Sequence, residues 1–204
     1  KEFSGQKIIM RECLVDGDVS GETFEQFITT RAQVIGQYPQ CSEDEYYQSS
    51  LPELEKIKSL PASTQLVCWF EEDLFCQVNF WFVCYLLCDS NKQQRVYLVR
   101  PNKGNEFSFA HMSNQELQLA FRAKQLINQQ QLIFFANLWL AYQQKDWQAL
   151  AQFAQQIPTG LAFVNTALGA QLARKPDEQG LGHPERVLLD IMRQQTQLSF
   201  APVF

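Results

Sequence analysis

Apolar positions in the first half of the chain alternate between short uninterrupted runs and longer segments of helical spacing. The runs predict three buried strands, over residues 7–10, 65–70 and 95–100. Helical spacing lies between them, over residues 22–36, 43–60 and 74–88, with an interruption near Pro52. Strands that alternate with helices of this length favour right-handed crossovers and therefore a parallel sheet.

The pattern changes after Gly104, where one helical segment follows another. Ser113 and Glu116 have the spacing of a capping box, and helices are predicted over residues 114–128, 130–144, 147–156, 159–174 and 184–194. We therefore predict an α/β domain over residues 1–105 and a helical C-terminal region over residues 106–204. The predicted fold class is α/β: a small parallel sheet with flanking helices, Rossmann-like or flavodoxin-like and three-layered, followed by the helical part.

Composition and charge narrow the class of protein. Hydrophobic residues make up 46% of the sequence and charged residues 19%, which excludes a disordered chain. The formal net charge of -5 disfavours nucleic acid as a partner, because non-specific affinity for phosphates comes from lysine and arginine. The longest apolar segment, residues 74–88, is too short to span a bilayer, so no membrane partner is predicted.

The six cysteines bear on the compartment of the protein. They lie at Cys13, Cys41, Cys68, Cys76, Cys84 and Cys88, and no two form a Cys-x-x-Cys pair. Metal ligation and a disulfide framework are open interpretations, but small buried thiols in a reducing compartment are favoured. Residues 1–7 lack the apolar stretch of a secretory signal peptide. We therefore predict a cytoplasmic protein.

Polar side chains follow each predicted strand at the point where the strand ends. Because the carboxyl ends of parallel strands meet at one edge of a sheet, we expect a ligand crevice there, beside a helix N-terminus. The residues predicted to line it are Arg11, Glu12, Glu71, Asp73, Gln77 and Arg100, joined by Arg31 from the first helix. Among them Glu12, Glu71 and Asp73 are the candidate catalytic carboxylates.

The other predicted site residues are candidate ligand-binding groups: Arg11, Arg31 and Arg100 would hold an anion, and Gln77 would face the same crevice. A metal ion held by Glu12, Glu71 and Asp73 is an open alternative. Carboxylate-only metal sites have no clear signature in sequence, however, so no metal ligands are predicted and no cofactor is named. Local roles are the alternative. In that interpretation Asp73 caps a helix, Glu71 favours the helix dipole and Arg11 forms a structural ion pair.

Several motifs resemble one family of proteins. They are Arg11-Glu12-Cys13-Leu14 with Gly17, Phe27 and Arg31; the run from Trp69 to Gln77; Trp139-x-Ala141-Tyr142; and Gly180-Leu181-Gly182-x-Pro184-Glu185-Arg186. Together they resemble the bacterial domain of unknown function 1835, most specifically at residues 69–77. The resemblance implies another strand upstream of Lys1 and a segment after Phe204 that completes a winged-helix-like unit with the last helix. It implies no particular activity.

Two hypotheses for function follow. The first is binding of a small anionic or nucleotide-like ligand at the carboxyl ends of the parallel strands, by an enzyme or by a binding protein. The alternative is a regulatory or protein-interaction module without catalysis, with a C-terminal segment that binds DNA in one version. The near-balanced charges over residues 174–193 argue against the DNA version. A purely structural role would instead require a large apolar surface patch and no polar crevice.

Overall fold

The computed structural model describes residues 3–89, 94–102, 104 and 108–194. The chain forms two compact units, Lys1–Asp146 and Trp147–Phe204. The first unit contains α1 (Phe24–Ile35), α2 (Glu43–Ser49), α3 (Leu51–Ser59), β1 (Gln65–Trp69), α4 (Leu74–Asp89), β2 (Arg95–Val99), a short 3-10 turn (Phe109–His111), α5 (Asn114–Arg122), β3 (Gln125–Ile127) and α6 (Gln129–Gln143). The second contains α7 (Trp147–Gln155), α8 (Val164–Ala173) and α9 (His183–Gln194).

Local capping signals decide where several helices begin. Thr23, Ser113 and Asn128 each accept a hydrogen bond from the backbone three residues later, and that later side chain bonds back to the cap. This capping box satisfies two backbone N–H groups that would otherwise lack partners. The cap predicted at Ser113 is confirmed, and Pro52 lies in the first turn of α3, where proline is tolerated.

The sheet is small and mixed, with the strand order β1-β2-β3. β1 and β2 are parallel, in a register that pairs Gln65 with Arg95 and Trp69 with Val99. β3 is antiparallel to β2, with Val96 opposite Ile127. The strands predicted over residues 65–70 and 95–100 are therefore confirmed as β1 and β2. The third strand of the sheet, β3, comes from a segment that was predicted to be helical.

The predicted α/β fold class, a Rossmann-like or flavodoxin-like three-layer arrangement around a parallel sheet, is wrong. The described part of the chain is mostly helical, and its sheet has one antiparallel pair. Residues 7–10 form no strand, because the backbone N–H of Ile9 donates to the Glu53 carboxylate of α3 at 2.9 Å and joins no ladder. An apolar run of four residues carries too little information to fix a pairing partner.

The core of the first unit is the pair of helices α4 and α6. α4 is apolar on almost all sides, which is typical of a buried helix and was expected from the sequence. Its Phe80 meets Phe135 at a ring distance of 4.8 Å, and its Phe82 meets Trp139 at 4.7 Å. No helix in the described residues has both the length and the apolarity needed to cross a bilayer.

In the second unit, α7 packs against α8, and Leu150, Val164 and Leu168 are buried. The loop before α9 is organised by Asp177, whose Oδ1 accepts from the backbone N–H groups of Gln179 and Leu181. The helix predicted from residue 184 is confirmed as α9. Any winged-helix-like continuation of it lies outside the described residues.

Candidate functional site

Three of the predicted site residues meet where β1 passes into α4, over residues 70–73, a segment called here the β1–α4 turn. Asp73 Oδ1 accepts from the backbone N–H of Cys76 at 3.0 Å, so it caps α4 as the local interpretation expected. Glu71 Oε1 accepts from the backbone N–H of Phe109 at 2.6 Å. Gln77 Nε2 donates to the main-chain carbonyl of Glu71 at 2.7 Å. These three hydrogen bonds fix the conformation of the β1–α4 turn.

Cys76 belongs to the same cluster, although the sequence interpretation placed it in the core. Glu71, Asp73 and Cys76 each present one ligand atom, and these atoms all lie within 4.8 Å of one another. Burial, together with the nearby charges of Asp73 and Glu71, raises the pKa of the Cys76 thiol to about 12. The signal in the sequence was the spacing, because Cys76 follows Asp73 by three residues and so shares its helix face.

A cavity of about 350 Å³, called here the edge cavity, lies next to this cluster. It is lined by β1, by the first turns of α4 and by residues 8–10. Its apolar wall includes Ile8, Leu66, Phe70, Phe75 and Val83, and its polar wall includes Cys76 and Asn79. Cys76 therefore belongs both to the carboxylate cluster and to the cavity wall.

Asn79 gives the edge cavity a buried hydrogen-bond acceptor. The residue is 3% exposed, and its Nδ2 donates to the main-chain carbonyl of Glu12 at 2.8 Å. Its Oδ1 has no hydrogen-bond partner among the described residues. A buried carbonyl without a partner costs about 1–3 kcal/mol. A ligand that donates a hydrogen bond to Asn79 would remove that cost.

The free edge of β1 adds backbone groups to the same cavity. The carbonyl of Thr64 and the N–H of Phe70 both bond to β2. In a strand the backbone groups alternate in direction, so those of Val67 and Trp69 point away from β2. Both residues line the edge cavity, and no strand in the described part of the chain pairs with that edge of β1. The cavity therefore has donors and acceptors at fixed spacing along one wall.

Glu12 and Arg31 form a buried ion pair away from the β1–α4 turn. Arg31 Nε lies 3.1 Å from Glu12 Oε2, and both side chains are excluded from solvent. The other guanidinium nitrogens of Arg31 donate to the carbonyls of Cys13, Asp16 and Asp18 at 2.9–3.0 Å. This network holds the loop over residues 12–18 and leaves the Arg31 side chain engaged within the protein.

The two other predicted arginines, Arg100 and Arg11, each lie near a carboxylate of the protein. Arg100 forms an ion pair with Glu72. Arg11 is exposed, and its charge adds to the hydrogen bonds from Lys56 and the Ile9 backbone that lower the pKa of the Glu53 carboxyl group. The structure thus brings together Glu71, Asp73 and Gln77, while Glu12 and the three arginines lie in other contacts.

No protein-family model matches the chain, and no curated protein and no solved structure matches it. The resemblance to the bacterial domain of unknown function 1835 therefore stays a prediction. The function has to be argued from the geometry of the β1–α4 turn and the edge cavity.

The ion-pair network should make stability depend on pH in the alkaline range. Burial and the Glu12 carboxylate, which accepts from the Tyr46 hydroxyl, raise the pKa of Tyr46 well above its usual value. A tyrosine of the unfolded chain ionises near pH 10, so above about pH 10 the folded state holds the extra proton and stability falls as pH rises. We expect the Tyr46 contribution to the free energy of unfolding, measured in urea, to be constant up to about pH 10 and to fall from about pH 10 to about pH 12.

Two variants separate this effect from general alkaline unfolding. Tyr46→Phe removes the titrating hydroxyl, so its decline over the same range should be shallower. Tyr47→Phe, at the exposed neighbouring position, should decline as the parent does. An identical decline in the parent and in Tyr46→Phe would show that Tyr46 is not the group responsible.

Proposed function

We propose that the protein binds a small nucleotide-like ligand whose planar ring enters the edge cavity. The observation that carries the proposal is Asn79, which lines a mostly apolar cavity of about 350 Å³ and whose buried side-chain carbonyl has no partner in the described residues. Small-molecule sites typically enclose about 300–1,000 Å³ and combine apolar walls with a few convergent polar groups. The edge cavity fits that description.

A planar heterocycle suits the walls of the cavity better than an aliphatic molecule does. Phe70 and Phe75 provide aromatic surface on which a ring can pack. The free backbone groups of Val67 and Trp69 can pair with donors and acceptors on the edge of a ring, as they would with a neighbouring strand. Asn79 Oδ1 accepts a further N–H. These features support a nucleobase-like ring.

The charged end of such a ligand would lie toward the β1–α4 turn, because Cys76 belongs to both places. Glu71 and Asp73 are the carboxylates available there for acid–base chemistry on a bound ligand. Arg31 and Arg100 are already engaged with Glu12 and Glu72. An anionic group on the ligand would therefore be held through a cation and not by these guanidinium groups.

The test is calorimetric titration of the full chain with nucleobases, nucleosides and nucleoside monophosphates, in one series with magnesium and in a second with zinc. We expect at least one to bind. Asn79→Leu should lower the affinity for that compound by about tenfold or more, which corresponds to losing about 1.4 kcal/mol of binding free energy. Ile8→Trp should abolish binding by filling the cavity, since Ile8 is part of its wall.

The matched control is Ile133→Trp, which adds the same indole at an exposed position of α6 and should leave affinity unchanged. If no compound in the panel binds the parent, or if both cavity variants bind as the parent does, the edge cavity is not the ligand site.

A regulatory or protein-interaction role is the second candidate, and α9 favours it. Val187, Leu188 and Met192 are each 38–40% exposed on this amphipathic helix, and partly exposed apolar helix faces are common at protein interfaces. This role becomes the leading one if the ligand panel gives no binding.

The cytoplasm is the compartment we propose in either case, because all six cysteines are unpaired.

A further inference from the structure

We infer that Glu71, Asp73 and Cys76 form a binding site for a divalent cation of the zinc class. Their ligand atoms, two carboxylate oxygens and a sulfur, lie within 4.8 Å of one another, close enough to meet on one ion. Magnesium and calcium take oxygen ligands, whereas a thiolate selects zinc and similar metals. The sequence predicted no metal ligands, and the sulfur is the donor that changes this interpretation.

Both carboxylates are held in place by backbone N–H groups. One oxygen of Glu71 accepts from Phe109, and one oxygen of Asp73 accepts from Cys76. Hydrogen bonds of this kind orient ligands around a metal, because they restrict rotation of each carboxylate. The ligand set is therefore ordered before any ion binds.

Gln77 provides an independent observation at the same turn. Its side chain is fully buried, and its Nε2 is fixed to the main chain of Glu71. Its Oε1 has no hydrogen-bond partner in the part of the chain that the structure describes. Buried carbonyl oxygens normally have a partner. A water molecule on the cation would supply one, because a metal-bound water is a strong donor.

Three protein ligands leave the fourth tetrahedral position open, as in catalytic zinc sites. Because Cys76 also lines the edge cavity, the cation would lie beside the cavity wall. The cation would hold the anionic group of the ligand, since Arg31 and Arg100 are already paired with Glu12 and Glu72. This last step rests on the proposed function, whereas the cation site itself does not.

The experiment is a titration of the reduced full chain with cobalt(II), followed by absorbance, with no organic ligand present. We expect one equivalent to bind, with the near-ultraviolet charge-transfer absorption of a cobalt–thiolate bond, and zinc should displace it. Cys76→Ser should lose this absorption. Glu71→Gln and Asp73→Asn should each weaken cobalt binding by about tenfold or more.

The variants are chosen to preserve the fold. Glutamine can still accept from Phe109, and asparagine caps helices about as well as aspartate. Cys41→Ser is the control for adventitious binding, because Cys41 is an exposed free cysteine, and it should keep the parent absorption. Absence of the absorption in the parent, its survival in Cys76→Ser, or unchanged affinity in both carboxylate variants would overturn the inference.

The two experiments can refute either proposal without refuting the other. A chain that binds cobalt but no member of the nucleotide panel retains the cation site and loses the proposed function. A chain that binds a nucleoside without binding cobalt does the reverse. If both bind, zinc should raise the affinity for a nucleoside monophosphate but not for the corresponding nucleobase.

Discussion

Replacing Arg31 with methionine is expected to lower the free energy of unfolding by about 3–5 kcal/mol, measured by urea denaturation. The substitution leaves the Glu12 carboxylate buried without its cation, and removing one partner of a buried ion pair is more costly than removing both. It also removes the guanidinium donors to the carbonyls of Cys13, Asp16 and Asp18. The Cys13 carbonyl keeps the Asp16 backbone N–H as a donor, and Glu12 keeps the Tyr46 hydroxyl.

Two further variants identify the source of the loss. Arg11→Met removes an exposed arginine from the same part of the chain and should change stability by no more than about 0.5 kcal/mol. Glu12→Gln combined with Arg31→Met should recover part of the stability, because no buried charge remains. A loss below about 1 kcal/mol for Arg31→Met would contradict this view of the pair.

Replacing Trp139 with alanine should also cost about 3–5 kcal/mol, because a large aromatic side chain leaves a cavity that its neighbours fill only in part. Trp139 is fully buried, and its ring lies 5.9 Å from that of Phe27 and 4.7 Å from that of Phe82. It therefore joins α1, α4 and α6. Thermal unfolding followed by circular dichroism would measure the effect.

The control on the same helix is Ile133→Ala, since Ile133 is 46% exposed and should lose far less. If the two variants unfold at the same temperature, the contact between α4 and α6 is not the main core of the first unit.

The helical part of the fold could be predicted because its signals are local. Capping boxes and apolar spacing lie within a few residues of the helix that they specify. α4 was recognised from its composition alone. β1 and β2 were recognised for the same reason, as continuous apolar segments with few charges.

The sheet topology could not be predicted, because strand pairing depends on contacts between distant residues. Gln125–Ile127 pairs with β2 although it continues the apolar spacing of α5. One local signal was available: Asn128 and Gln131 form a capping box, and a chain that starts a new helix at Asn128 must leave the previous helix before it. Residues 7–10 offered no such signal.

In the candidate site, too, the grouping of sequence neighbours could be predicted and the contacts between distant residues could not. Glu71, Asp73 and Gln77 lie together because they are neighbours along one turn, so sequence alone was enough to group them. Arg31 was assigned to an anion and Glu12 to catalysis in the same crevice, because nothing local in the sequence shows that these two side chains pair with each other. Asn79 was missed, since its contact with the Glu12 carbonyl spans 67 positions.

The Asn79 amide touches two structures at once. Its nitrogen donates to the main-chain carbonyl of Glu12, and the same residue lines the edge cavity. We therefore expect occupancy of the cavity to be coupled to order in the loop over residues 12–18, and such coupling is reciprocal. A ligand that fixes the Asn79 side chain would protect the loop from local opening. A substitution that destabilises the loop would in turn lower the affinity for the ligand.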